Sequence, residues 1–475
     1  MSEEHDTAAA AAIAISATQG GSLVGAARPS DHAYPSARTA WYTVFVLMIC
    51  YTLAYADRQI LAFLVGPLKA DLHLTDTRIG LLQGLVFALV YTVFGLPMGA
   101  LADRVSRRNL IAMGVLAWSV MTSLSSVARS FLWLAAARTG VGLGEATLSP
   151  CAFSMIADSF PKQRLSSALS IYTMGIQLGS GLALVIGGIV VQAVSQLHPI
   201  ALPLVGPIAA WRVTFLIVGV PGVIIALLLA TVREPRRHAA LVNAEGVALR
   251  FGTLETFGLI GARWRSTTGI ALMIACQATC NYALLSWGPA FFDRVHHWPK
   301  DRIGLVLGLT TLGCGCFGLL VGGRASDRWQ SKGVSDAPLR IGLISLVGMI
   351  LTLAPAMLCA DVRWTVALLV PAVFFIGLPI GCGYAAVQLI FPNQARGFAS
   401  AIIIFAVALI GLGAGALLPG LLNDRLFHDG QRIGASISIT VALASIVGIV
   451  AVSATLPRYR ADYQTVQARG RPADG

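Results

Sequence analysis

The sequence predicts an all-helical membrane protein with twelve spanning helices in two six-helix bundles, and three observations predict it. Of 475 residues, 56% are hydrophobic and 12% charged, whereas a soluble domain carries about 25% charged residues; the mean hydropathy is +0.75. Polar breaks divide the chain into apolar intervals of about 20 residues, the length that crosses a bilayer as helix. The two halves also share a register. Arg78-Ile79-Gly80-Leu81 recurs as Arg302-Ile303-Gly304-Leu305, and at the same offset Gly84 matches Gly308, Gly99 matches Gly323, and Asp103-Arg104 matches Asp327-Arg328. A register held from residue 78 to residue 104 implies parallel six-helix repeats, with a binding site between them near the midplane.

Residues 1–38 are Ala-, Ser- and Gly-rich with acids at the front. No basic region precedes the apolar patch Ala8–Ala17, so a secretory signal is not indicated and a disordered cytoplasmic tail is expected. The first bundle is assigned to 39–232, with breaks near 66–77, 103–108, 128–130, 158–166 and 196–210. A polar linker, 233–265, follows, with a short amphipathic helix around Leu254–Ile260. The second bundle takes 266–456, with breaks near 293–301, 326–339, 360–363, 392–397 and 423–432, and 457–475 forms a cytoplasmic tail. Pro97, Pro221, Pro289, Pro371 and Pro379 fall inside spans, where neighbouring helices can satisfy the freed backbone groups. Basic residues concentrate on one side, including Arg104, Arg107, Arg108, Lys162, Arg164, Arg233, Arg324, Arg328, Lys332, Arg458 and Arg460. The positive-inside rule then places both termini and the linker in the cytoplasm.

Composition narrows the function classes. The net charge of +12 arises between hydrophobic spans, where it sets orientation and does not build a nucleic-acid surface. All eight cysteines lie in apolar runs without zinc-site spacing, which argues for packing residues and neither a disulfide framework nor a metal site. No glycine-rich loop leads to Lys-Ser/Thr, so ATP hydrolysis is not the expected driving force, and no cofactor is expected. The bilayer, a small-molecule or lipid-like substrate and protons are the expected partners.

The most informative stretch is Ala137 to Pro150, inside an apolar run from Phe131 to about Ala157 that reads as one spanning helix. Arg138 and Glu145 are two helical turns apart on one face, roughly 10 Å along the axis. Gly140, Gly142 and Gly144 lie between them and permit close approach of another helix. The first span carries Asp57 and Arg58. An ionised side chain in the bilayer core costs at least ~2.5–3.5 kcal/mol, so such groups line cavities and pair. The four charges sum to zero, and adjacent residues on a helix point about 100° apart. Arg58 is therefore assigned to Glu145, leaving Asp57 to orient Arg138 or a backbone group. In the second half, Asn281 and Tyr282 of the seventh span and Tyr384 and Gln388 of the tenth are polar groups in apolar surroundings, with Gln277 and Trp287 as weaker candidates. For each of them, interhelical packing competes with substrate contact.

The run Gly99-Ala-Leu-Ala-Asp103-Arg104-Val-Ser-Arg107-Arg108 resembles the signature loop between helices 2 and 3 of the major facilitator superfamily, with Ser106 where the family prefers Gly. The resemblance extends from about Trp41 to Leu456. It implies a monomeric rocker-switch transporter in which Gly99, Asp103, Arg104, Arg107 and Arg108 form a cytoplasmic gate. Tyr55-Ala-Asp57-Arg58, Leu74-Thr-Asp76-x-Arg78-x-Gly80, Phe87-Ala-Leu-x-Tyr91 and the Arg138…Glu145 stretch are similar to the spinster branch, known for lysolipid and sphingolipid export in animals. Organic anion:cation symporters share the charged pairs of helices 1 and 4, which leaves small sugar acids open as substrates.

Charge balance yields a mechanism. Protonating Glu145 frees a guanidinium and leaves the cavity positive, which favours an anionic head group entering with the proton. A substrate whose cation must pair with Glu145 would instead compete with the proton, giving exchange. Burial raises the proton affinity of Glu145 and the arginines lower it, and the sequence leaves that balance open. Glu145 and, second, Asp57 are the expected proton-coupling residues; Arg58, Arg138, Asn281, Tyr282, Tyr384 and Gln388 are the expected substrate contacts. A ligand sensor that kept the transporter fold is the alternative from another class.

Overall fold

The computed structural model describes residues 34–102, 104–160, 162–196, 200–202, 206–236, 258, 261–391 and 403–469. The first half contains α1 (Ala37–Phe63), α2 (Asp76–Gly99), α3 (Arg107–Val127), α4 in two pieces (Phe131–Glu145 and Leu148–Ser159), α5 (Ile171–Ser195) and α6 (Trp211–Ala230). The second half contains α7 (Trp264–His296), α8 (Lys300–Ser331), α9 (Ala337–Ala356), α10 (Val362–Val387), α11 (Ile403–Phe427) and α12 (Gly430–Val466). Eleven of these helices are long and apolar enough to cross a membrane uninterrupted; α4 completes the twelve as a broken span. The end of the bundle where α1 begins is called the terminal end, and the opposite end the distal end.

Three features depart from the expected elements. The α4 run is interrupted after Glu145, because Thr147 turns its hydroxyl back onto the Gly144 carbonyl at 2.8 Å and Pro150 supplies no N–H to the carbonyl four residues before it. The 196–210 break holds a two-stranded antiparallel sheet, β1 (Ile200–Leu202) and β2 (Gly206–Ile208), with Ile200 opposite Ile208. At the C-terminal side no break follows Leu456: the helix runs from Ile433 to Arg469 through Pro457. Tertiary anchors hold that continuation. The Tyr459 hydroxyl donates to the Ala386 carbonyl at 3.0 Å, Arg460 pairs with Asp336 at 2.6 Å, and the Ser266 hydroxyl donates to the buried Asp462. The expected helix at 254–260 and the tail 1–33 lie outside the described residues.

The internal repeat has a structural cause. Gly80 and Gly84 of α2 meet α11, where a Cβ on Gly84 would lie 2.6 Å from the Ala416 Cβ and 2.7 Å from the Leu412 carbonyl oxygen. Their counterparts Gly304 and Gly308 meet α5 of the other half: a Cβ on Gly304 would stand 3.0 Å from the Gly188 Cα, and one on Gly308 2.6 Å from the Gly181 carbonyl oxygen. Each repeat thus contributes one small-residue seam to the interface between halves. Small residues are the ordinary way two helices approach without a hydrophobic driving force in lipid.

Candidate functional site

The four intramembrane charges converge. Arg58 of α1 donates from Nε to Glu145 Oε2 at 2.8 Å, and its Nη2 also reaches that oxygen. Glu145 is 1% exposed and Asp57 1% exposed, so this is a buried pair beside a second acid. Arg138 takes the backbone: Nη1 and Nη2 face the Asp57 carbonyl oxygen at 3.4 and 3.5 Å. The Asp57 carboxylate accepts from the Thr122 hydroxyl at 3.3 Å. Glu145 Oε1, Asp57 Oδ1 and Arg138 Nε have no hydrogen-bond partner among the described residues. Buried polar atoms are normally paired; the two carboxylate oxygens can each accept a further hydrogen bond, whereas Arg138 Nε can only donate one.

Arg58 is also caged by aromatic rings. Its guanidinium carbon lies 4.7 Å from the centroid of Tyr55, 4.4 Å from Phe87 and 5.2 Å from Tyr91. Tyr55 stands one turn before Arg58 on α1, and Phe87 and Tyr91 are one turn apart on α2 and stacked at 5.6 Å. Ring faces attract a guanidinium, so the cage holds Arg58 in place independently of Glu145. In the sequence Tyr55, Phe87 and Tyr91 stand out only as a family signature, and their one-turn spacing is the signal that points to this role.

Next to Tyr55 a cavity of about 40 Å³ opens between the halves, lined by Gln177, Ser180, Asn281, Tyr282 and Thr311 on its polar side and by Leu284, Leu285, Val373 and Ile376 on its apolar side. It has room for a water or so, and a substrate enters only when the halves separate. Asn281 and Tyr282 are therefore brought to the interface, joined by Gln177, Ser180 and Thr311, which sequence reasoning did not single out. Gln277 and Trp287 serve packing: Gln277 donates to the Ile376 carbonyl at 2.6 Å and Trp287 to the Ala416 carbonyl at 2.7 Å. Tyr384 and Gln388 fall on the helical stretch Ile380–Ile390, and their side chains lie outside what is described.

Hydrogen bonds between described residues of the two halves all lie at the distal end. Asp76, at the start of α2, is fully buried. Its carboxylate receives Lys69 at 2.6 Å, Arg294 at 2.7 and 2.9 Å, and the Asn423 amide at 2.7 Å. Asp424 of α11 in turn accepts from the Asp76 and Thr77 N–H groups at 3.2 and 2.6 Å and from the Thr77 hydroxyl at 2.6 Å. Gln192 accepts from the Lys300 N–H at 3.0 Å. The distal end is closed.

At the terminal end the signature arginines bind within the first half. Arg107, 1% exposed, reaches Ser154 at 2.7 Å, Asp158, the Glu234 carboxylate at 2.9 Å and the Pro235 carbonyl at 2.8 Å. Arg108 points at the Val232 carbonyl at 3.3 Å. Arg104 is exposed, Gly99 lies against Pro150, and Asp103 lies outside the described residues. Arg107 and Arg108 tie α3 to α4 and to the end of α6, and among the described residues they make no contact with the second half. Glu234 and Asp158, which sequence reasoning missed, complete the network.

Glu234 accepts from the Ser106 hydroxyl at 2.6 Å and from the N–H groups of Arg107 and Arg108 at 3.1 and 3.0 Å. Partial burial pushes its carboxyl pKa up, but those donors and the Arg107 guanidinium outweigh it and hold the value below the ordinary 4.5. A value depressed by folding contributes stability that is complete above the ordinary carboxylate range and is lost as pH falls through the folded value. Glu234→Gln is therefore expected to flatten the decline of Tm between about pH 5 and pH 3. Thermal melts of both proteins across that range check it.

Twelve spans in two pseudo-symmetric bundles, with paired charges buried next to a cavity between them, define a multi-pass integral membrane transporter and not an enzyme. The chain belongs to the Major Facilitator Superfamily, whose family model matches residues 47–416. It is spinster-like within that family. It is 26% identical to Protein spinster of Drosophila melanogaster over 86% of this chain and 66% of that one. It is 32% identical to an MFS-type efflux pump of Mycolicibacterium smegmatis over 92% of this chain and 97% of that one. It is also 27% identical to a probable L-galactonate transporter of Escherichia coli over 71% of this chain and 72% of that one. Among solved structures, a bacterial homolog of the human lysosomal transporter Spinster, inward-facing and unoccupied, superposes with a TM-score of 0.75 at 24% identity, covering 92% of this chain and all of that one.

Proposed function

We propose that the protein is a proton-coupled, alternating-access transporter for an amphiphile with an anionic head group, of lysophospholipid or sphingoid type, or for an organic anion. The observation that carries this reading is the caged Arg58–Glu145 pair. Protonation of Glu145 releases a guanidinium that the aromatic cage keeps in place, and the freed charge attracts the head group. Arg138, fixed on the Asp57 backbone, adds a second positive charge, and the apolar cavity wall of Leu284, Leu285, Val373 and Ile376 suits a hydrocarbon body. Asp57 is the second proton site. The positive-inside rule makes the terminal end cytoplasmic, so the closed distal end faces out. The membrane is the plasma membrane, the inner one in a bacterium, and the working unit is a monomer.

A second reading rests on the polar cavity wall. Gln177, Ser180, Asn281 and Thr311 offer amides and hydroxyls suited to a small sugar acid, the substrate class of the Escherichia coli relative. Proteoliposome uptake driven by a pH gradient, with lysophospholipids, sphingoid lipids and sugar acids offered side by side, separates the two. Accumulation of amphiphiles supports the first reading and of sugar acids the second. Binding without accumulation of any substrate identifies a sensor and rejects transport.

Asn281→Ala and Tyr282→Phe test the cavity itself. Each removes a polar cavity group and leaves Arg58 and Glu145 themselves unchanged, so apparent substrate affinity is expected to fall about 10- to 150-fold, the worth of one hydrogen bond to a charged group. The pH dependence of uptake should stay unchanged.

A further inference from the structure

A second concavity lies far from the buried charges, on the flank of the second half. A groove of about 650 Å³ runs between α7 and α12 at the terminal end, with Trp264, Arg265 and Arg458 at its mouth and Thr268, Leu272 and Ala454 along its walls. Its floor is formed where Gly269 lets α12 approach; a Cβ there would stand 2.7 Å from the Thr455 Cβ. The volume is within the range of built ligand sites.

The charge pattern says what fits. Arg265 and Arg458 are both exposed, and neither is in an ion pair among the described residues. Arg265 has its guanidinium carbon 5.5 Å from the Trp264 ring centroid. No carboxylate lines the groove among the described residues. Asp462 accepts from Ser266, and Asp336 from Arg340 and Arg460, so neither acid is paired with Arg265 or Arg458. Going seven residues along α7, from Arg265 to Leu272, the groove descends roughly 10 Å from two cationic groups and an interfacial tryptophan into apolar walls. Trp marks the headgroup level of membrane helices, and basic pockets between spanning helices accept lipid head groups.

We infer that this groove binds one membrane phospholipid with a net anionic head group. Arg265 and Arg458 pair with its phosphate, the Thr268 hydroxyl lies within the same polar level, and an acyl chain lies against Leu272, Ala451 and Ala454. The site is separate from the transport cavity, so it stands or falls independently of the proposed substrate.

Native mass spectrometry of the full-length protein, titrated with phosphatidylglycerol and with phosphatidylcholine of the same acyl chains, tests it. One phosphatidylglycerol should bind in preference to phosphatidylcholine. Arg265→Gln/Arg458→Gln should weaken that binding about tenfold and erase the head-group preference. Ala454→Trp, which fills the groove and keeps both arginines, should weaken it as well. Ala454→Trp keeps both arginines and so remains a readout if the arginine variant fails to fold. Equal binding of the two lipids or unchanged binding in both variants overturns the inference. Displacement of the lipid by millimolar inorganic phosphate overturns it too, since the site then recognises a free anion.

Discussion

Glu145→Gln is expected to abolish gradient-driven accumulation while substrate exchange and binding survive. The amide keeps the size of the carboxylic acid but neither takes nor loses a proton, so Arg58 stays in the released, anion-accepting condition that protonation otherwise produces. With one proton per substrate, a gradient of two pH units sustains about a hundredfold substrate gradient at equilibrium, since each unit is worth about 1.36 kcal/mol; the variant should level off at equal concentrations. Its binding affinity should also lose its dependence on pH. The complementary change, Arg58→Ala, is a poor probe, because it strands a carboxylate that is 1% exposed, and breaking a buried pair from one side costs about 3–5 kcal/mol. Uptake into proteoliposomes with and without an imposed gradient decides the matter. If Glu145→Gln still concentrates substrate, Asp57 with its unpaired Oδ1 becomes the coupling residue, and Asp57→Asn should then show the loss.

What the sequence made legible was what depends on period, charge and local register. Span count follows from hydropathy, and the repeat at Gly80/Gly84 and Gly304/Gly308 marks the two seams between halves. The assignment of Arg58 to Glu145 follows from geometry on two helices and a charge sum of zero. Arg138 was harder, because its partner is the carbonyl of Asp57 and a backbone acceptor leaves no trace in residue type. The interruption of α4 was written in Thr147 and Pro150, yet the hydropathy of the whole run from Phe131 masked it. Gln277 and Trp287 show the same limit: a polar group in an apolar span announces that it needs a partner and does not say whether that partner is substrate or a neighbouring carbonyl.

Partners far apart in sequence were beyond reach. Glu234 closes the Arg107 network across 127 residues, and Asp76 meets Arg294 and Asn423 across 218 and 347. Asp76 reads locally as an acid in the first turn of a helix capped by Thr75, where a negative charge is favourable without any further partner. Only the folded chain shows that its carboxylate is the hub of a contact between halves.

That contact sets the second large expectation: Asp76→Asn should shift the protein toward opening at its distal end. The closed arrangement places Lys69, Arg294 and Asn423 around one fully buried carboxylate. Neutralising it leaves two cations facing each other with only an amide between them. Arg294 and Lys69 are partly solvated, with side chains 14% and 29% exposed, which lowers the loss below that of a wholly buried pair. A change on the order of 2 kcal/mol, about thirtyfold in the closed-to-open ratio, is expected for losing hydrogen bonds between charged groups. Asp424→Asn should act in the same direction and more weakly, because its acceptor oxygen still caps the N–H groups of Asp76 and Thr77. Spin labels at Arg129→Cys and Arg425→Cys, exposed distal positions on opposite halves, read the separation directly. A longer, broader distance distribution in Asp76→Asn, reached without substrate, is the expected result, whereas a distribution identical to that of the parent protein means the glycine seams alone hold the distal end shut. The two predictions are linked through the population shift: a ligand moves a two-state equilibrium only by its differential affinity for the states. Asp76→Asn should therefore weaken substrate binding from the terminal side by the same factor by which it depopulates the distally closed state, and leave the pH dependence carried by Glu145 in place.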